Sequence, residues 1–447
     1  MTMSTRRLMD RAFTGVGFFA IALMAAFLLV VLGPIFKRGA GAFVFEGTIE
    51  HRRMLLENFN RGDADAMVLD LAATKAARQP VYGMLAAFDK ELDSLPEEQQ
   101  AGLRKEFKEV RKNLAELLGP LPGEVKSELL RRRYGQTRWD RALVKLDRVL
   151  YRETWDYSKP GMGVKKLIPR ETDFAGTALA GLFPLLREHL RDMLKPHWTF
   201  YPGFLTDHSL DAHFFGGIGP EVVGTLYLTI GAMLLAVPLG IVAAVYFQEY
   251  AKEGWIMTFL RSCVSTLAGV PSIVFGLFGL AFFINTMHVS PSKSVLAGSL
   301  TLALLILPTV IRASEEAIRA VPRTFKEASM ALGAGRWRTV LTVILPAALP
   351  GILTGIVISM GRAAGETAPI IFTAAVSLGA APPLSEIFTH DTPALPWGIY
   401  NLCTEHAAVD EIRHVQYGMV ATLVMIVLLL NLSAIVLRAR IAKRLKG

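Results

Sequence analysis

The sequence predicts an all-α polytopic membrane protein with six transmembrane helices and one large, mostly helical extracytoplasmic insertion. Three observations predict it. The 447 residues are 52% hydrophobic with a mean hydropathy of +0.38, which places the chain among membrane proteins. Six apolar runs approach or exceed the roughly 20 residues that a helix needs to cross hydrocarbon. Basic residues gather on alternate connections between those runs, the asymmetry that orients helices in a bilayer.

In order, Met1–Asp10 is short and carries Arg6 and Arg7, with Arg11 just after it. Phe13–Ile35 is then apolar and includes Gly33-Pro34. A basic start before an apolar core also suits a signal peptide. The run is long and no small-x-small cleavage site follows it cleanly, so residues 1–36 read as a cytoplasmic N-terminus and a retained first helix. Residues 37–217 are charged and hold no spanning run. Leu103, Phe107, Val110, Leu114 and Leu117 recur every three or four positions, the stripe of an amphipathic helix. Gly119-Pro120-Leu121-Pro122-Gly123 breaks it, and Trp139, Leu143, Leu146 and Leu150 form a second stripe. The pair predicts a helical hairpin inside this insertion, with no evident chemistry.

Residues 218–447 supply the other five spans: Val222–Phe247, Val264–Ile284, Ser294–Ile311, Ala347–Val376 (with Pro369 as a candidate break) and Val415–Leu437. The connection 312–345 carries Arg312, Arg319, Arg323, Lys326, Arg336 and Arg338, and the tail carries Arg438, Arg440, Lys443, Arg444 and Lys446. Connection 248–261 holds Lys252 and Arg261, whereas 285–293 has only Lys293 and 377–414 only Arg413. Both termini are therefore expected in the cytoplasm and residues 37–217 outside it. The net charge of +9 is topogenic and does not point to nucleic acid. Cys263 and Cys403 fall on opposite faces of this topology, which argues against a disulfide between them.

No G-x-x-x-x-G-K-[ST] loop occurs, so the chain is not expected to hydrolyse ATP itself. No nucleophile elbow or acid–base pair is evident, and no cofactor is implied. The spacing of His208, Asp211 and His213 is weak for a metal site. Charge inside the membrane is more telling, because it is costly in hydrocarbon and faces protein or a water path. Arg362 and Glu366, followed by Thr367, are four apart and can pair on one helix face. Arg362 lies about 24 Å beyond Pro346 along a straight helix. Gly361 and Gly365 offer a close helix contact. Arg312 with Glu315 or Glu316 is a second candidate pair at the end of its helix. Both pairs read either as pathway elements or as structural ion pairs. The guanidinium of Arg362 would suit an oxyanion, since its forked donors match phosphate-like oxygens.

The segment from Ala313 to Pro346 is a polar helical hairpin between two spans. Pro322 can start its helix, and Leu332-Gly333-Ala334-Gly335 turns it. Within it, Glu327-Ala328-Ser329, then Gly333, then Val343-Ile344-Leu345-Pro346 resembles the EAA loop of ABC importer permeases. Ser329 and Val343 stand where that family more often has alanine and isoleucine. The wider string from Leu345 to Ala374, including Arg362-Ala-Ala-Gly-Glu-Thr367, is similar to the PstA-type permeases of phosphate importers.

The resemblance covers residues 214–447 and the first helix. It implies a six-helix permease in the cytoplasmic (inner) membrane of a bacterium. Glu327, Ala328, Ser329, Gly333 and Pro346 would couple it to a cytoplasmic ATPase dimer. Arg362, Glu366, Thr367, Arg312 and Glu315 are, from their charge and position, the candidate residues of the substrate pathway. It further implies a second homologous permease subunit and an extracytoplasmic phosphate-binding protein, beside membrane lipid. A permease for molybdate or sulfate is the alternative within transport. A sensor would need a cytoplasmic output domain where this chain has short loops, and an enzyme would need a catalytic constellation.

Overall fold

The computed structural model describes residues 3–124, 130–156, 164–376, 378–406 and 408–446. The side chains of Arg6, Arg7, Arg444 and Lys446, counted above among the basic flanks, lie outside the described residues. The chain forms two compact units. One comprises Met1–Ala42, Gly203–Ser209 and Gly216–Gly447, and the other Phe43–Pro202 and Leu210–Phe215. The chain begins with α1 (Met3–Ala40), a long apolar helix that belongs to the first unit.

The second unit opens with β1 (Val44–Gly47) and α2 (Ile49–Phe59). It continues through α3 (Ala64–Ser94), α4 (Glu97–Leu118), the single turn α5 (Leu130–Arg133) and α6 (Trp139–Leu150). Next come the ribbon of β2 (Tyr151–Asp156) and β3 (Val164–Pro169), then α7 (Leu182–Leu194) and β4 (His197–Phe200). Asp63 starts α3 by accepting the backbone N–H groups of Asp65 and Ala66, satisfying donors that a helix start leaves orphaned. The stripe of α4 is buried as its period requires: Phe107, Val110, Leu114 and Leu117 join one core with Val81, Leu85 and Phe88 of α3. On α6 the inward face is Ala142, Leu146, Val149 and Leu150, while Leu143 remains 43% exposed. The inner face is thus rotated from the one expected. The two antiparallel ribbons, β1 with β4 and β2 with β3, were not legible as strands.

His51 is the most perturbed group of this unit. Its ring sits edge-on between Phe45 and Tyr201, and its buried Nε2 has no hydrogen-bond partner among the described residues. Burial, then the nearby Arg138 and Arg52 charges, push its pKa down to about 3. A lowered folded-state pKa stabilises the fold above the unfolded value near 6.5, and that stability is lost as pH falls toward 3. Between pH 6.5 and 5 the wild type should lose about 1 kcal/mol per pH unit more than His51→Phe. Thermal melting of both proteins across that range measures the difference, and parallel pH profiles would refute it.

In the first unit, α8 (Gly219–Val245) widens into a π-type turn at Tyr246–Tyr250. Then come α9 (Trp255–Ala268) and α10 (Ser272–Gly279), the latter prolonged by a second wide turn to Thr286. They are followed by α11 (Val295–Arg319), α12 (Arg323–Ala331), α13 (Arg336–Thr339) and α14 (Leu345–Gly365). A wide turn at Val340–Ile344 joins α13 to α14. Finally α15 (Ala368–Thr373), α16 (Leu395–Thr404) and α17 (Arg413–Lys446) close the chain. A two-residue parallel pairing, β5 (Ala375–Val376) with β6 (Thr392–Pro393), precedes α16.

Among the described residues five helices are long and apolar enough to span a bilayer: Arg11–Ala40, Gly219–Tyr250, Val295–Arg319, Arg336–Gly365 and Arg413–Ile441. The sixth expected span, Val264–Ile284, is corrected. The chain there forms two helices, Trp255–Ala268 and Ser272–Thr286, bent by 101°. The bend falls at Gly269-Val270-Pro271, where proline removes a backbone donor and steers the preceding residue out of helix. Packing decides what this bent pair does. Gly231 abuts Ser299, and Gly240 abuts Val310, so α8 and α11 run in the same direction. The chain between them must return across the bundle, and the bent pair carries it.

The remaining directions follow likewise. Gly351 abuts Ala317 and Gly355 abuts Ala313, so α14 is antiparallel to α11. Gly361 nears Val427 and Asn431 while Arg438 donates to Thr354 at 2.8 Å, so α17 is antiparallel to α14. Gly39 at the end of α1 abuts Tyr417 and Ala421 near the start of α17. Six passes result, with Arg11, Arg438 and the segment 320–335 at one end of the bundle, called here the hairpin end. The close contact expected at Gly361 and Gly365 is instead made by Gly351 and Gly355. A Cβ on Gly355 would lie 2.2 Å from that of Ala313, whereas Gly365 faces open space.

Candidate functional site

The hairpin is shorter than the polar stretch 313–346, because the flanking helices run past the apolar residues. α12 is capped by Pro322 and ends in a glycine-terminated motif. Gly333 adopts φ +86°. Its N–H bonds Met330 O at 2.9 Å, and Ala334 N–H bonds Ser329 O at 3.2 Å. That pair of bonds satisfies the last carbonyls of the helix and requires a residue at ease in the left-handed region. α12 has no buried residue. Glu327 and Ala328 are exposed, Phe325 is 52% and Leu332 90% exposed, and Trp337 stands out beside them. An apolar tip held out on a rigid turn is a surface for a partner.

Two contacts fix α12 to the bundle. Ser329 Oγ lies 2.9 Å from Oγ1 of the buried Thr339, and Lys326 forms an ion pair with Glu249 in the wide turn after α8. Pro346 is separate from the tip: it lies in the first turn of α14, about 15 Å along the helix from Arg336. The sequence reading did not find Glu249 or Thr339. Their only signal was a polar residue at the end of an apolar run.

The expected pairing of Arg312 with Glu315 or Glu316 is corrected: among the described residues Arg312 makes an ion pair with neither. Glu315, with 13% of its side chain exposed, pairs with Arg261 of α9 at 3.0 Å and Arg319 at 3.4 Å. It also accepts Gln248 at 2.7 Å. Arg312 instead donates to Ser265 Oγ. The bent α9 brings Arg261 and Ser265 to α11, and these partners displace the local one. Glu315 thereby ties three helical segments at the hairpin end, beside a cavity of about 250 Å³ lined by Arg261, Ser265, Arg312, Glu315, Glu316 and Arg319.

Arg362 and Glu366 do come together, with Nε to Oε1 at 3.2 Å. The geometry differs from two residues on one helix face. Arg362 is in the last turn of α14, where its charge complements the helix dipole. Glu366 lies beyond the end in extended conformation. Thr367 precedes α15, whose first turn holds Pro369. The helix therefore breaks just before Pro369, as the bias against helix upstream of proline favours. Ala363 packs in one cluster with Leu302, Leu305 and Ile306 of α11. Those residues are about 10–17 Å along α11 from its start, so the break and its ion pair lie inside the bundle. Irregular backbone at that depth is tolerated where it is buried in protein or lines a cavity. The Arg362 side chain is 37% exposed, and its Nη1 and Nη2 have no protein acceptor among the described residues. A second cavity, about 320 Å³, runs beside α8 and α14 past Met360. Its lining has no charged group to hold an anion.

Asp211 is engaged by Arg131, which donates through its backbone N–H at 2.8 Å. Among the described residues no three His, Cys, Asp or Glu side chains are disposed to hold a metal.

Residues 236–447 match the family described as the binding-protein-dependent transport system inner membrane component. The phosphate transport system permease protein PstA 1 of Mycobacterium tuberculosis (strain ATCC 25618 / H37Rv) is 39% identical over 232 residues, 51% of this chain and 72% of that protein. The chain belongs to this permease family. The phosphate transport system permease protein PstA of Yersinia pestis is 35% identical to the permease over 230 residues, 50% of this chain and 73% of that one. Among solved structures, an inward-facing MetNI methionine ABC transporter covers 49% of the permease and 94% of its own chain, with 19% identity and a TM-score of 0.40. The permease is thus a multi-pass inner-membrane component of a transporter, and its relatives are permease subunits.

Proposed function

We propose that the permease is the transmembrane subunit of an ATP-driven importer that moves inorganic phosphate across the cytoplasmic membrane into the cell. The observation that carries the reading is Arg362: a guanidinium inside the bundle, at a helix break, held through Nε by Glu366, with no further acceptor among the described residues. The phosphate-transport names of the 35–39% identical relatives narrow the anion. The hairpin end faces the cytoplasm in this proposal, because Arg319, Arg323, Lys326, Arg336, Arg338 and Arg438 gather there. α12 docks on one subunit of an ATPase dimer, through Phe325, Leu332 and the exposed side of Glu327-Ala328-Ser329. A second homologous permease completes the pathway, and an extracytoplasmic binding protein delivers phosphate.

The mechanism follows from how α12 is held. Closure of the ATPase dimer moves α12 as a rigid body. Lys326–Glu249 passes that motion to the end of α8, and Ser329–Thr339 passes it to the start of the α14 span. The path then opens away from the cytoplasm and admits phosphate to Arg362. Glu366 orients the guanidinium and competes for it, which keeps the anion from being trapped. Arg312 and Glu315 bound the path at the hairpin end.

Radiolabelled phosphate uptake by cells lacking this permease tests the reading. Wild type should restore uptake, and excess molybdate or sulfate should not compete. Restored molybdate or sulfate uptake without phosphate uptake would refute the substrate and leave the importer.

A further inference from the structure

Glu366 has a second carboxylate oxygen that its ion pair does not use. Oε1 accepts the Arg362 Nε–H at 3.2 Å, a single side-on contact. Among the described residues no donor reaches Oε2, and the far edge of the guanidinium, Nη1 and Nη2, meets no acceptor. The two groups share one open side of the helix break. Ala363 and Ala364 are buried, whereas Arg362, Gly365, Glu366 and Thr367 are partly or wholly exposed. A Cβ on Gly365 would meet no atom within 4 Å, so the backbone between the two charged groups borders open space.

Such a site differs from a plain anion cradle. It offers the forked donors of a guanidinium, but beside them stands a carboxylate oxygen. The C-terminal end of α14 adds carbonyls that have no intrahelical donor. These acceptors repel a ligand that brings only oxygen lone pairs and favour one that also brings a hydroxyl hydrogen. Inorganic phosphate near neutral pH keeps at least one P–OH group, whereas sulfate and molybdate carry none. Seated on Arg362, an oxyanion without a hydroxyl would turn its negative oxygens toward Oε2 with no proton between them. A built-in repulsion of that kind is how a site rejects a ligand of similar size and shape.

We propose that Glu366 is a specificity-determining residue: its Oε2 accepts the hydroxyl of hydrogen phosphate bound at Arg362 and rejects oxyanions that have no hydroxyl. The inference rests on the reading of Arg362 as the phosphate contact and adds what selects among oxyanions there. The permease then screens its anion inside the membrane, independently of the partner that delivers it.

The test uses the full-length permease, purified with its ATPase in lipid nanodiscs and without any extracytoplasmic binding protein, so that only the membrane assembly selects. Bound radiolabelled phosphate is displaced near neutral pH by unlabelled phosphate, sulfate or molybdate. Wild type should need about 10- to 150-fold more sulfate or molybdate than phosphate, the range of one hydrogen bond to a charged group. Glu366→Gln should still bind phosphate, because the amide oxygen accepts the hydroxyl. Its amide N–H can also turn to sulfate, so the preference should largely vanish. A preference unchanged in Glu366→Gln would overturn the proposal and leave the phosphate reading standing. Glu366→Asp withdraws the carboxylate by one methylene and should narrow the preference without abolishing phosphate binding. A preference equal to wild type there counts against the proposal, so the test holds even where the glutamine variant does not assemble. Phosphate binding by Arg362→Gln as tight as by wild type would instead sink the reading beneath, and the inference with it.

Discussion

Arg362→Gln should sharply reduce phosphate uptake while leaving the permease assembled with its ATPase. Glutamine keeps much of the length and a hydrogen-bonding amide but removes the charge and the fork. A hydrogen bond to a charged group contributes about 1.5–3 kcal/mol, which corresponds to roughly 10- to 150-fold in uptake at limiting phosphate. Arg362→Lys keeps the charge without the fork and should fall between. Glu366→Gln should act oppositely on binding, retaining phosphate more tightly while slowing turnover. Uptake measured alongside ATPase co-purification separates the roles. If Arg362→Gln loses the ATPase as well, the pair holds helices together and does not line the path.

The second large effect is expected at the hairpin tip. Phe325→Asp combined with Leu332→Asp should abolish co-purification of the ATPase. Each apolar side chain that becomes buried contributes about 1.5–3 kcal/mol, so losing two lowers affinity more than about 100-fold. The same double variant should melt like wild type, because Phe325 and Leu332 are exposed in the chain itself. Gly333→Ala is the informative comparison. Its Cβ would meet no atom within 4 Å, yet φ +86° strains any L side chain. About 1 kcal/mol of strain should weaken docking only severalfold. Full ATPase binding by the double variant would place the coupling surface elsewhere.

Much of this architecture was legible in the residues. Apolar length located the spans, and the stripe Phe107–Val110–Leu114–Leu117 gave α4 its buried face. Hydropathy could not distinguish a straight crossing from a bent one, because the segment around Gly269-Val270-Pro271 is apolar either way. Periodicity found Arg362 and Glu366 through their spacing, although Glu366 proved to lie outside the helix. Spacing misled at Arg312 and Glu315. There the partners Arg261, Gln248 and Ser265 come from distant parts of the chain, and a nearer helical neighbour loses to better-placed tertiary ones. Glycines four apart occur at 351/355 and at 361/365. Only the fold shows that Ala313 and Ala317 stand opposite the first pair.

The parallel pairing of α8 with α11 has a consequence for how the chain is made. α8 is made before α11, and that packing partner is synthesised only after everything between Tyr250 and Val295. Through that interval α8 must tolerate bare lipid. Its hydroxyls are suited to the wait: Thr225 donates to Glu221 O and Thr229 to Thr225 O, each at 2.7 Å, so neither needs a neighbour to be satisfied. When β6 and α16 arrive later, the Thr225 oxygen also accepts the Leu395 N–H at 2.8 Å. One side chain thus serves first as insulation during insertion and afterwards as the clasp that closes the bundle around the segment leading into α16.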